Sequence, residues 1–277
     1  MSRYLKLVNF ELNRFIKIYM VLIGITIVSQ ITGVFISARR YLSIASEKTQ
    51  GGSMSIDEFL NQYGFMSFAD VARSLWFEGP IFLCVISLLI YMFFIWYRDW
   101  FGKNTFIYRL LMLPTARINV FLAKATTIFM LVLGLIALQL VLIPIENYLY
   151  QWMVPVDFRT DMPVQDITSS LRNFYFMFPQ SFTEFMIIYG IGLMAVCVVF
   201  TAILIERSYR WKGIIVGILY GAAALLLFFL PVILQETILY QFFYPMELFV
   251  LQLVTGIIVL TLSIVVSHFL LTKKIRI

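Results

Sequence analysis

Apolar residues in this chain neither alternate nor recur on a single face; they run on without a break. Six stretches carry no Asp, Glu, Lys or Arg, at 18–38, 79–97, 125–145, 185–205, 213–235 and 248–271. Each holds 19 to 24 residues, and at about 1.5 Å of rise per residue a helix of that length crosses a hydrocarbon core of about 30 Å. A membrane-spanning strand needs only about 9–11 residues of alternating character, so runs this long predict helices. The first run is too long for a signal-peptide core and no small-residue cleavage site follows it, so it is read as a retained span.

The connections show patterns of their own. Ahead of the first run, Ser2, Lys6, Asn9, Asn13 and Lys17 form a polar stripe, with Tyr4, Leu5, Val8, Leu12, Phe15 and Ile16 opposite and Phe10 as the exception. That pattern over 1–17 predicts an interfacial amphipathic helix lying on the membrane before the chain turns to cross. In 39–78, Ser55-Ile56-Asp57-Glu58 is a capping box ahead of Phe59, Leu60 and Tyr63, which predicts a short helix. The segment 146–184 is broken by Pro155, Pro163 and Pro179 and is expected to be irregular. The segment 236–247 has no basic residue and four aromatics, Tyr240, Phe242, Phe243 and Tyr244; it either dips back into the protein or forms an aromatic belt at the interface. No segment reaches the size of a separate domain and no internal repeat is visible, so residues 1–277 are read as one transmembrane domain.

Composition removes the alternatives. Hydrophobic residues make up 61% and charged residues 13%, against about 45–50% and 25% in a soluble domain. A soluble globular fold and a disordered chain are both excluded. The net charge of +6 matters through its placement. The amino terminus, 98–124, 206–212 and the tail hold 15 Lys and Arg against three acids, Glu11, Asp99 and Glu206; the remaining connections hold 6 against 12. By the positive-inside bias both termini and the 98–124 connection are expected in the cytoplasm, with 39–78 and 146–184 outside, although Arg39 and Arg40 oppose this locally. The fold class is therefore an all-α polytopic membrane protein with six transmembrane helices. Its basic residues suit anionic headgroups, and no nucleic-acid partner is implied.

Catalytic chemistry is sparse. His268 is the sole histidine, so a zinc centre or a Ser/His hydrolase has no second imidazole. Cys84 and Cys197 fall in different spans without a CxxC pattern and are read as packing residues. The six charge-free runs offer no acid for proton or sodium coupling, which disfavours an ion-driven transporter. Gly102-Lys103 lacks the remainder of a phosphate-binding loop. No catalytic, cofactor-binding or metal residue is assigned, and the chain is expected not to be an enzyme.

The 98–124 connection is more informative. It predicts a short helix over about 105–113, ended by Pro114, on which Phe106, Leu110 and Leu113 share a side while Thr105, Tyr108 and Arg109 lie elsewhere. An apolar helix in the cytosol lies on headgroups or docks into a partner's groove. Six spans, an interfacial leader and this segment together resemble the permease subunit of bacterial type-2 ATP-binding-cassette (ABC) exporters. Asp99, Gly102, Leu110, Leu111, Pro114, Arg117 and Lys124 could fill the family's acidic, glycine, paired-leucine, proline, arginine and lysine places. The chain departs from the pattern in having Asp where Glu is commoner and in the separation of Gly102 from Thr105. The resemblance implies a multi-pass subunit of the plasma membrane that pairs with a second permease, of the same or a different chain, and with two cytoplasmic ATPase subunits that hold ATP and Mg. It also implies a coupling surface at Thr105, Phe106, Tyr108, Arg109, Leu110, Leu113, Pro114 and Arg117, and a path lined by the second and fifth spans.

Two stripes fit that picture. Gly213, Gly217 and Gly221, continued by Ala224 and Phe228, let another helix backbone approach. Cys84, Ser87, Tyr91 and Phe94 place most of the polar atoms of the second span along one line. A path lined this way suits a hydrophobic or amphipathic cargo such as an antimicrobial peptide or a lipid. A non-catalytic membrane sensor or immunity protein, and less readily an intramembrane lipid enzyme, are the competing readings.

Overall fold

A computed structural model describes residues 2–50, 54–101, 106–170, 177–209, 211–237 and 242–275. Six helices are long and apolar enough to cross a membrane: α1 (Ser2–Gln50), α4 (Leu75–Trp100), α6 (Ile118–Met153), α8 (Phe182–Tyr209), α9 (Trp211–Thr237) and α10 (Pro245–Phe269). Between them lie α2 (Ile56–Tyr63), α3 (Phe68–Ala72), α5 (Phe106–Leu111), α7 (Val164–Ser170) and two short strands, β1 (Met66–Ser67) and β2 (Arg159–Thr160). The chain is thus an all-α, multi-pass membrane protein.

Two of these elements depart from the sequence reading. The leader does not turn before the first span: α1 is one helix of 49 residues, unbroken at Lys17 and continuing through Arg39 and Arg40. Lys6, Asn9, Asn13 and Lys17 are exposed as expected, but the inward face carries Leu7 and not Leu5. Helix α6 runs eight residues beyond 145, through Pro144, because neighbouring structure offsets the missing N–H of a proline in a spanning helix. Glu146 therefore lies within α6, fully buried, with neither carboxylate oxygen hydrogen-bonded among the described residues. The absence of acids from the spans consequently no longer argues against ion coupling.

The chain divides into two compact units. One comprises Arg14–Leu88 and Met130–Gln180. Here α1 turns Phe15, Tyr19, Leu22, Thr26, Gln30, Val34, Ala38 and Ala45 inward at helical spacing. The polar members of that row are paired: Thr26 Oγ1 lies 3.4 Å from Cys84 Sγ, and Gln30 Nε2 donates to Gln139 Oε1 at 3.2 Å. Small residues bring the helices close. A methyl at Gly33 would stand 2.6 Å from Trp76 Cβ, and one at Gly134 would collide with the Tyr19 hydroxyl, which donates to Leu131 O at 3.2 Å. The core of this unit is formed by Val34, Phe68, Phe77, Ile143, Tyr150 and Ile167.

The segments between the spans join the same core. Ser55 and Glu58 form the expected capping box on α2, and Gly64 ends that helix at φ 75°, a conformation that glycine reaches without a Cβ penalty. No pattern in the sequence announces the parallel pairing of β1 with β2, which aligns Met66 with Arg159 and Ser67 with Thr160. Tyr150 donates to Met66 O at 2.5 Å and secures β1 to α6. The segment 146–184 is more ordered than its prolines suggest, since α6, β2 and α7 occupy much of it.

The other unit comprises Met1–Asn13, Leu89–Phe129 and Ser181–Ile277. Helices α8 and α9 form a tight hairpin. A methyl at Gly213 would stand 2.5 Å from Glu206 O and one at Gly217 2.9 Å from Ala202 O, whereas one at Gly221 meets nothing. The close approach expected along this stripe is therefore made by α8 of the same chain, at two of its three glycines. A buried hydroxyl ladder adds α10: Thr201 Oγ1 lies 2.9 Å from Ser267 Oγ, and Tyr220 OH lies 2.7 Å from Ser263 Oγ. Each such interhelical bond contributes about 0.6 kcal/mol in a membrane protein. Trp96 and Phe121 each pack edge to face on Phe200, and all three are fully buried.

Candidate functional site

Helix α4 ends at Arg98-Asp99-Trp100 and α6 begins at Ile118, so the connection that carries α5 leaves and returns to the same place. Lys124 closes its base. The ammonium donates to Asp99 Oδ2 at 2.5 Å, Glu11 Oε1 at 2.7 Å and Ile95 O at 2.8 Å, which uses all three of its protons. It also stands 5.3 Å from the Trp96 ring centre, within cation–π reach. Arg98 Nη2 donates to the other Glu11 oxygen at 3.0 Å. The side chains of Lys124 and Asp99 are 0% exposed, so removing one charge would strand another where water cannot reach it.

The amino-terminal turns of α1 hold the connection from one side. Leu7 and Val8 pack on Leu110, Val120 and Ala123, with Tyr4, Leu12 and Phe106 at the edge. Tyr4 OH lies 2.6 Å from Thr126 Oγ1, and Arg3 Nη1 donates to Pro114 O at 2.7 Å. This packing corrects part of the expected coupling surface. Leu110 faces inward with Ile107 and Leu111, because a six-residue helix seated on α1 must bury the side that meets Leu7 and Val8. The outward apolar groups are Met112 (66% exposed), Leu113 (41%) and Tyr108 (37%), beside the exposed Arg109 and Pro114. Phe106 is half-buried; Gly102 and Thr105 lie outside the described residues.

Arg117 is tied to the end of α10. Its guanidinium donates to Leu271 O at 2.7 Å and to Ile275 O at 3.2 Å, across the π-helical turn Leu270–Lys274 that ends α10. A cation on unpaired carbonyls at a helix carboxyl end is favourable both as a hydrogen-bond donor and against the helix dipole.

A second cluster joins α4 to the α8–α9 hairpin. Tyr97 OH donates to Glu206 Oε2, and the Arg207 guanidinium lies over the rings of Tyr97 at 4.6 Å and Phe101 at 5.5 Å. Sequence reasoning assigned no role to Glu11, Tyr97, Glu206 or Arg207. A signal was present: Glu11, Asp99 and Glu206 are the only three acids in the basic connections, and each is held by a specific donor.

The residues expected along a path differ in exposure. Cys84 is buried beside Thr26 and Ser87 is half-buried. Tyr91 is buried with the Arg98 guanidinium 5.8 Å from its ring centre, and Phe94 is 60% exposed. Phe228 packs with Met194, Ala224 and Val259, in contact with α8 and α10. His268 is exposed, Cys84 and Cys197 are free and buried, and among the described residues no three His, Cys, Asp or Glu side chains form a metal-holding group. Compared with protein-family models, with curated proteins and with solved structures, the chain matches none.

Proposed function

We propose that this chain is the permease subunit of an ATP-driven ABC exporter of the bacterial plasma membrane, carrying a hydrophobic or amphipathic cargo. In this reading both termini and the α4–α6 connection are cytoplasmic. A second permease and cytoplasmic ATPase subunits, which hold ATP and Mg, complete the transporter. One observation carries the reading: α5 and the turn after it present Tyr108, Met112 and Leu113 outward from a base fixed by Lys124, Asp99 and Glu11. An exposed apolar knob on a loose loop would be an aggregation hazard. On a fixed base it suits insertion into a partner's groove and the transmission of force from that partner to α4 and α6.

The test is affinity purification from the source membrane with the wild type and with Met112→Asp/Leu113→Asp. A phosphate-loop ATPase should accompany the wild type and be lost from the double variant, which still inserts because neither position is buried. Wild type purified without any ATPase, or a double variant that keeps it, overturns the reading.

A further inference from the structure

Between α8 and α10 lies a cleft of about 290 Å³ whose lining includes Met186, Gly190, Met194, Phe228, Gln252 and Gly256. Glycines on the two facing helices leave it open. A methyl at Gly190 would meet nothing, and one at Gly256 would reach the Phe228 ring at 3.5 Å. The floor is the buried cluster of Met194, Ala224, Phe228 and Val259.

Among the described residues, Gln252 is the one polar side chain in the lining. Its Nε2 donates to Phe228 O at 2.7 Å, in the turn that Pro231 interrupts. A carbonyl can only accept, so this bond fixes which end of the amide is the nitrogen. The other end, Oε1, is buried and receives no hydrogen bond among the described residues. A buried acceptor without a donor keeps the cost of the water it lost. A donor brought by an occupant removes that cost.

We propose that this cleft binds one unbranched apolar chain of a membrane amphiphile whose head presents a hydroxyl or amide donor to Gln252 Oε1. The volume sits at the lower edge of the range for ligand sites, about 300–1,000 Å³, which admits a single chain and excludes a folded peptide. A carboxylate or phosphate head would bring only further acceptors to Gln252. A sugar would lose its hydration against one polar partner. The proposal names the cargo chemistry within the exporter reading and rests on it; the test uses no ATPase, so the two fail separately.

The chain is placed in phosphatidylcholine nanodiscs with a diazirine-bearing long-chain alcohol or with its methyl ether, and labelled peptides are mapped. The alcohol should label the cleft-lining parts of α8 and α10 about fivefold or more above the ether, the ratio that one buried hydrogen bond of about 1 kcal/mol gives. Gln252→Leu should make the two probes equal. Gly190→Phe, which adds a ring where the backbone leaves space, should abolish labelling of the cleft by both. Equal labelling by the two probes in the wild type overturns the proposal without recourse to any variant. So does a Gly190→Phe protein labelled as the wild type is, or a Gln252→Leu protein that still prefers the alcohol.

Discussion

The Lys124 ammonium stands 2.5 Å from the Asp99 carboxylate with neither side chain exposed to solvent, and Glu11 takes a second proton of the same ammonium at 2.7 Å. Two anions and one cation are unbalanced; Arg98 on the far side of Glu11 restores neutrality. Lys124→Met should therefore cost about 3–5 kcal/mol, since it leaves two buried carboxylates facing each other. Adding Glu11→Gln and Asp99→Asn should recover much of the loss by removing the stranded charges. Thermal unfolding of the purified protein gives the comparison; equal melting temperatures for wild type and Lys124→Met would show the cluster to be energetically idle.

Leu110 and Met112 lie two residues apart and should behave differently. Leu110→Ala opens a cavity against Leu7, Val8 and Val120 and should cost about 2–5 kcal/mol. Met112→Ala, at an exposed position, should stay within about 0.5 kcal/mol. Limited proteolysis of the amino-terminal turns of α1 reads the difference, with faster cleavage expected for Leu110→Ala alone.

The glycine row of α9 makes a graded series. Gly217→Ala places a methyl 2.9 Å from Ala202 O, against backbone that cannot swing away. It should lower the melting temperature. Gly221→Ala meets nothing within 4 Å and should raise stability by about 0.5–1 kcal/mol through reduced chain entropy. The opposite order would mean that α8 and α9 pack differently.

Arg117→Gln removes a charged donor from two carbonyls at the end of α10. A charge-assisted bond contributes about 1.5–3 kcal/mol, but the effect should be local. Amide exchange should quicken over Leu270–Ile275 and remain unchanged in α8. Exchange that stays slow at the end of α10 would show that the π-helical turn holds without Arg117.

The six spanning helices are readable in the sequence because an unpaired charge in hydrocarbon is expensive, so runs free of charge mark them. Their ends are not, since a helix can continue past the membrane edge, where its polar side chains meet water. Helix α1 does so on both sides of the first run, through Lys17 and through Arg39. The Ser55–Glu58 box is readable because its chemistry is confined to four residues. The inward turn of Leu110 is not, because α5 is apolar on two sides and too short for a period to choose between them. Lys124 and Glu11 meet across 113 positions, and a single sequence carries no signal at that range. A shortage of acids among many bases is the trace they leave.

The fit of the Tyr19 hydroxyl into the space above Gly134 bears on how relatives of this chain would diverge. Only one of the two positions can change first: alanine at 134 requires the hydroxyl to be gone already, whereas phenylalanine at 19 leaves room for a methyl opposite and loses only the hydrogen bond to Leu131 O. Substitutions at the two sites should accordingly be accepted in a fixed historical order, loss of the hydroxyl first and gain of the methyl second. An alignment of homologues would register this as an ordered covariation between columns 19 and 134, with the tyrosine–alanine combination missing.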